Sequence, residues 1–133
     1  MPPQTIQKSI LLIDDDHYVS DFYADAFRNA GYDADVAVGA ADALKKLRLG
    51  KKYRVVMFDV SMLAVDGFEL YEMIKKESLA LDSVFMVLTN SAEPDKIQKA
   101  KQLGINTYLI KSATIPVEAV SKVNQALEEK IQI

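Results

Sequence analysis

From Ser9 onward, short apolar runs alternate with longer amphipathic stretches along nearly the whole chain. Most of the runs are too short and too continuously apolar for helices, and they are typical of parallel strands covered on both faces. This pattern predicts five strands, at residues 9–14, 33–37, 53–59, 83–88 and 107–110.

The amphipathic stretches between the strands have the apolar spacing of helices, and several carry terminal signals. Asp16 is a candidate N-cap for the first stretch, Gly31 follows it as a stop, and Pro116 falls in the first turn of the last. The predicted helices cover residues 17–30, 40–49, 67–77, 94–103 and about 116–130.

Five strand–helix repeats predict an α/β fold, because parallel neighbours are joined by right-handed helical crossovers. With no sixth strand, we expect a flavodoxin-like, doubly wound, five-stranded parallel sheet in the order 2-1-3-4-5, with five helices. The length of 133 residues fits one domain. We expect a flexible polar tail at residues 1–7 and a single domain over residues 8–133.

Composition narrows the functional classes. The net charge of −3 gives no basic footprint, so we expect no nucleic-acid binding by this chain alone. Cysteine is absent, which excludes disulfides and thiolate chemistry and fits a reducing compartment. No apolar run approaches the ~20 residues that cross a bilayer, and the first residues lack the features of a secretory signal. We expect a soluble, cytoplasmic protein without membrane contact.

Chemistry is expected at the carboxyl ends of the strands, where ligands bind in open α/β sheets. Asp14 and Asp15 mark the end of the first predicted strand, Asp59 ends the third, Thr89 follows the fourth and Lys111 follows the fifth. Each signal alone is also typical of a solvated turn. Together they place acids, a hydroxyl and a cation at one edge of the sheet.

Carboxylates that lie close together raise one another's pKa values unless a cation offsets the repulsion. Without a His or Cys partner they favour a hard cation, and Mg²⁺ is the usual one when phosphate oxygens share the site. Lys111 supplies a positive charge suited to phosphate, and Thr89 can donate a hydrogen bond to an anionic oxygen. Asp16 fits an N-cap better than a ligand.

Five short motifs carry these residues: Leu12-Ile13-Asp14-Asp15, Met57-Phe58-Asp59, Asp66-Gly67, Leu88-Thr89 and Tyr108-Leu109-Ile110-Lys111. In these motifs and their spacing, the chain resembles the response-regulator receiver domains of two-component signalling, of the chemotaxis-regulator kind. The resemblance extends from about Ser9 to Leu127.

The resemblance implies that Asp59 accepts a phosphoryl group from the phosphohistidine of a sensor histidine kinase or a histidine phosphotransfer protein. It also implies a Mg²⁺ ion held by Asp14, Asp15, Asp59 and the backbone carbonyl of Ser61. A domain of this kind is not a classical enzyme, although it promotes its own phosphorylation and slow dephosphorylation.

The same resemblance implies a switch. Lys111 pairs with Asp59 and then with the phosphoryl group, Thr89 moves to bond a phosphoryl oxygen, and Tyr108 follows it inward. The signal is a population shift between two surfaces. The expected face for a downstream effector comprises helix 4, strand 5 and helix 5. Its candidate apolar contacts are Ile105, Ile115, Val117 and Val120.

Three positions depart from the family pattern. Leu63 stands where a proline is usual, and Asn90 stands where a small residue usually follows the switch threonine. Ser112 stands where the family usually has a proline, which follows the lysine through a cis peptide bond. Either a cis bond persists before Ser112, at a cost of about 2.5–4 kcal/mol, or the loop is trans and aims Lys111 differently.

Two other classes fit parts of the pattern. Asp14-x-Asp16 followed by Val19 weakly resembles the motif of the aspartate-nucleophile phosphatases of the haloacid dehalogenase group. Those proteins need a longer chain with a cap domain and further acidic residues late in the sequence. A pseudo-receiver would keep the fold and signal by contact without phosphorylation. The sequence also fits both a free-standing protein and a fragment of a longer regulator or hybrid kinase.

Overall fold

The fold is a single sheet between two helical layers. The computed structural model describes the backbone of residues 8–131 and the side chains of residues 8–129, so the tail expected at residues 1–7 lies outside the described residues. Five parallel strands in the order β2-β1-β3-β4-β5 confirm the predicted topology. They are β1 (Ser9–Asp14), β2 (Asp33–Val38), β3 (Val55–Phe58), β4 (Val84–Thr89) and β5 (Tyr108–Ile110).

Five helices connect or follow the strands, close to their predicted bounds. Asp16 is the N-cap of the first helix, as predicted, because its carboxylate accepts hydrogen bonds from the N–H groups of Tyr18 and Val19. Asp66 and Glu69 form a capping box at the third. The helices are α1 (His17–Asn29), α2 (Gly39–Arg48), α3 (Gly67–Lys76), α4 (Pro94–Gln102) and α5 (Pro116–Ile131).

Apolar side chains cover both faces of the sheet, which explains the continuous apolar runs in the sequence. All six residues of β1 are buried. Leu11 and Ile13 pack in the layer that contains α2 and α3, whereas Ile10 and Leu12 pack in the layer that contains α1 and α5. Among the described residues, no helix combines the length and apolar character needed to traverse a bilayer.

The third strand is shorter than the predicted range 53–59. Tyr53 lies before β3 and donates its hydroxyl to the Asp35 carboxylate at 2.5 Å, and Asp59 lies just beyond the last residue of β3. The Asp59 N–H still donates to the Ile13 carbonyl of β1 at 3.0 Å. The neighbouring strand therefore fixes the Asp59 backbone although the residue is outside the sheet ladder.

Gly67 begins α3 in contact with the Asp59 backbone. A Cβ atom at this position would lie 2.2 Å from the Asp59 carbonyl oxygen and 2.8 Å from the Val60 Cα. Both neighbours are backbone atoms, which cannot rotate aside as a flexible side chain can. Glycine at this position therefore allows the start of α3 to pack directly against the loop that carries Asp59.

We predict that Gly67→Ala lowers the free energy of unfolding by about 3 kcal/mol, because the new methyl group must displace backbone. Gly50→Ala is the matched control: the residue has a φ of +93°, but no atom lies within 4 Å of an added Cβ. That change should cost about 1–2 kcal/mol from backbone strain alone. Urea unfolding followed by circular dichroism measures both values, and equal losses would contradict the packing argument.

Candidate functional site

Asp59 lies at the carboxyl edge of the sheet and is contacted from three directions. Its Oδ1 atom accepts a hydrogen bond from the Thr89 hydroxyl at 2.6 Å and another from the Ser61 N–H at 2.9 Å. Its Oδ2 atom accepts a hydrogen bond from the Lys111 ammonium at 2.8 Å. Asp59 is only 6% exposed, so these partners replace most of the water that would otherwise solvate its carboxylate.

Lys111 bridges two carboxylates, since its ammonium also donates to Asp14. Burial alone would lower the pKa of Lys111, but the hydrogen bonds and charges of Asp14 and Asp59 outweigh it and raise that pKa above its ordinary value. The described residues contain no cis peptide bond, so the bond before Ser112 is trans. The trans loop nevertheless brings Lys111 to Asp59.

Tyr23 supports the segment that carries Lys111, a role that sequence reasoning missed. Its buried hydroxyl donates to the Thr114 carbonyl at 2.7 Å, just after the short 3-10 turn at Lys111–Ala113. Burial raises the pKa of this hydroxyl. In the sequence Tyr23 reads only as an apolar position of α1, and its long-range hydrogen bond leaves no local signal.

The two neighbouring acids after β1 point to different partners. Asp14 contacts Lys111 and accepts a hydrogen bond from the Asp16 N–H at 3.0 Å. Asp15 instead accepts a hydrogen bond from the Leu63 N–H at 2.6 Å, across the rim of the site. The structure therefore joins Asp14 and Asp59 through Lys111, but it does not bring the Asp15 carboxylate into that cluster.

Carboxylate oxygens suit a hard cation such as Mg²⁺, so the donor set fits the expected metal in chemical type. Within the described part of the chain, however, no group of three or more His, Cys, Asp or Glu side chains is arranged to hold a metal ion. Ser61 and Asp15 line one open cavity of about 450 Å³ at the rim.

Thr89 and Tyr108, the expected switch residues, are linked through Ser91. Thr89 is fully buried and accepts a hydrogen bond from the Ser91 N–H at 3.3 Å, while the Tyr108 hydroxyl donates to the Ser91 carbonyl at 2.7 Å. Tyr108 is half-buried, and burial raises the pKa of its hydroxyl. Among the described residues, the Ser91 hydroxyl oxygen is buried without a hydrogen-bond partner.

The apolar contacts expected on the effector face are only partly available. Ile115 and Val117 are 61% and 72% exposed, as that interpretation requires. Ile105 and Val120 are buried in the two core layers, so the expectation that they supply surface contacts is wrong. Val120 of α5 and Ile105, in the loop after α4, pack in the core rather than at the surface.

A doubly wound sheet with acids, a threonine and a lysine at its carboxyl edge defines a receiver domain of two-component systems. The chain belongs to this family, since the response regulator receiver domain model matches residues 10–124. Domains of this family are phospho-accepting signalling domains.

The curated relatives include sensor kinases and response regulators. The chain is 32% identical over 112 residues to the sensor protein EvgS of Escherichia coli O157:H7, covering 84% of this chain and 9% of EvgS. It is 25% identical over 122 residues to the phosphate regulon transcriptional regulatory protein PhoB of Pseudomonas aeruginosa, covering 92% of this chain and 52% of PhoB. The chain therefore spans only part of these relatives.

Solved receiver structures have the same fold. A CheY-like receiver domain protein from Methanospirillum hungatei superposes with a TM-score of 0.81 at 23% identity, covering 93% of this chain and 96% of that one. The response regulator TrrA of Thermotoga maritima, solved in complex with Mg²⁺-BeF, gives a TM-score of 0.73 at 24% identity, covering 90% and 98%. At these identities the likeness concerns the fold.

We predict that Lys111→Met lowers the free energy of unfolding at pH 7 by about 3 kcal/mol, because Asp14 and Asp59 lose their shared cation. Without Lys111, the two buried carboxylates repel each other and no opposite charge offsets their loss of water.

The control is Lys46→Met, which removes a partly exposed pair with Asp42. This variant should lose less than about 1 kcal/mol of its free energy of unfolding. Urea unfolding of both variants measures the effect. A loss in Lys111→Met no larger than the loss in Lys46→Met would contradict the argument that Lys111 compensates two buried carboxylates.

Proposed function

We propose that Asp59 accepts a phosphoryl group from a phosphohistidine donor in a magnesium-dependent reaction. The observation that carries this proposal is the set of contacts on one buried carboxylate: Thr89 donates to one oxygen and Lys111 to the other. A cation and a hydroxyl placed beside a carboxylate suit a group whose oxygens carry negative charge. Family membership supports the same reaction class.

In the proposed step, a carboxylate oxygen of Asp59 attacks the phosphorus of the donor phosphohistidine. The new O–P bond forms as the P–N bond breaks, and the electron pair of that bond leaves on the imidazole nitrogen, which takes a proton from solvent. Lys111 then stabilises the negative oxygens of the acyl phosphate. Before the step, its ammonium pairs with Asp59 and holds one carboxylate oxygen in place.

Asp14, Asp15, Asp59 and the Ser61 carbonyl are the proposed magnesium ligands. Bound Mg²⁺ would supply neutralisation of charge on the transferred oxygens. Asp14 and Asp59 already lie beside a shared positive charge, which supports a cation at this position. The complex of TrrA with Mg²⁺-BeF supports a magnesium ion in a domain of this fold, without naming its ligands.

Phosphorylation is proposed to change a protein-binding surface through Thr89 and Tyr108. Thr89 must exchange its hydrogen bond with Asp59 for one with a phosphoryl oxygen, and the Ser91 backbone connects that movement to Tyr108. The effector face would comprise α4, β5 and α5, with Ile115 and Val117 as apolar contacts. The donor would be a sensor histidine kinase or a histidine phosphotransfer protein, in the cytoplasm.

Intact mass after incubation with Mg²⁺ and phosphoramidate tests the acceptor. We expect a gain of one phosphoryl group in the natural sequence and none in Asp59→Asn, because the amide is a poor nucleophile. Asp16→Asn is the control: it alters an exposed acid and leaves a good N-cap. A gain in Asp59→Asn would refute the assignment of the acceptor, and no gain in the folded natural chain would favour a contact-only pseudo-receiver.

Thermal unfolding at increasing MgCl₂ concentrations tests the metal ligands. If Mg²⁺ binds only the folded state, a concentration about 100 times Kd should raise the free energy of unfolding by about 2.7 kcal/mol. We expect Asp15→Asn to weaken this dependence because a neutral amide is a poorer ligand, and Asp16→Asn to leave it unchanged. An unaltered magnesium response in Asp15→Asn would remove Asp15 from the ligand set.

A further inference from the structure

The backbone N–H of Leu63 occupies one oxygen of the Asp15 carboxylate. The hydrogen bond measures 2.6 Å and joins the loop after β3 to the residue that follows β1. The Leu63 side chain is 83% exposed, so the contact of this residue with the site is made by its backbone. Hydrogen bonds from backbone N–H groups to ionised carboxylates are among the stronger ones in proteins.

The loop around Leu63 has a tight, strained geometry. The Val65 N–H donates to the Leu63 carbonyl at 2.7 Å, and Ala64 between them has a φ of 65°. An i to i+2 hydrogen bond around a positive φ is a γ-turn of the rarer, strained kind. The Leu63 peptide is thus held at its amino side by Asp15 and at its carboxyl side by this turn.

This contact separates Asp15 from the other two acids of the site. Asp14 and Asp59 both contact the Lys111 ammonium, whereas Asp15 contacts the Leu63 N–H. In this arrangement no three acidic or imidazole side chains among the described residues can hold a metal ion. The Leu63 hydrogen bond therefore stabilises a form of the site in which Asp15 is not a metal ligand.

We propose that the Leu63 N–H is a latch that competes with Mg²⁺ for the Asp15 carboxylate, and that metal binding releases the loop around Leu63. This inference rests on the proposed function, because it assumes that Asp15 is a magnesium ligand. Occupancy of the metal site then sets the conformation of the β3–α3 loop before any phosphoryl transfer. The exposed Leu63 side chain presents that state at the surface, in the loop that follows Asp59.

The latch depends on a backbone hydrogen, which two substitutions at the same position separate from the side chain. Leu63→Pro removes the N–H, and Leu63→Ala keeps it while removing the exposed side chain. Calorimetric titration with MgCl₂ alone gives Kd for each variant. We expect Leu63→Ala to match the natural sequence and Leu63→Pro to bind Mg²⁺ about tenfold more tightly, as expected for loss of one competing charge-assisted hydrogen bond.

If Leu63→Pro binds Mg²⁺ no more tightly than Leu63→Ala, the latch is overturned. The N–H would then have no effect on Mg²⁺ binding or would support it. A positioning role in which the N–H helps to orient a bound ligand predicts that weaker binding. The direction of the change therefore separates competition from support.

Hydrogen exchange in the natural sequence provides a test that does not depend on how proline is tolerated. By NMR, we expect the Leu63 amide to exchange slowly without metal and faster at saturating MgCl₂, as Asp15 leaves it. Saturable Mg²⁺ binding with an unchanged Leu63 amide would overturn the latch and leave the proposed function intact. A natural chain that does not bind Mg²⁺ would overturn both.

Discussion

The arrangement of the site depends on the ammonium of Lys111 between the carboxylates of Asp14 and Asp59. Two buried carboxylates at one site would repel each other, and a single lysine that contacts both offsets that repulsion. The three residues lie at the ends of β1, β3 and β5, so the ion pairs also join the sheet from its centre to one edge. Tyr23 extends this connection to α1 by holding the Thr114 carbonyl that follows the 3-10 turn.

Hydrogen bonds also orient other carboxylate oxygens at the rim of the site. Thr89 and Ser61 fix one oxygen of Asp59, which leaves the carboxylate oriented before any ligand arrives. Asp15 is oriented as well, but toward the Leu63 backbone. The neighbouring acids Asp14 and Asp15 are therefore held by different partners, a lysine ammonium and a backbone N–H.

The sequence predicts the fold well because burial on both faces leaves a strong pattern, as the six buried residues of β1 illustrate. It also identifies the residues at the carboxyl edge, since topology alone places the ends of parallel strands together. It fails where one side chain has two plausible environments. Ile105 and Val120 are as apolar as Ile115 and Val117, yet the first pair is buried and the second exposed. The Leu63 N–H leaves one signal, because a proline at that position would have no N–H to donate, but residue type does not show which group accepts it.

The close approach of Gly67 to the Asp59 carbonyl has a mechanical consequence. With no room for even a methyl group, the first turn of α3 and the Asp59 peptide touch without slack. The Gly67 N–H also bonds the Val60 carbonyl, one residue beyond Asp59. A displacement of that peptide cannot be absorbed by side-chain rotation, because packed interiors transmit strain. A shift of the Asp59 backbone would therefore tilt α3 as a rigid unit.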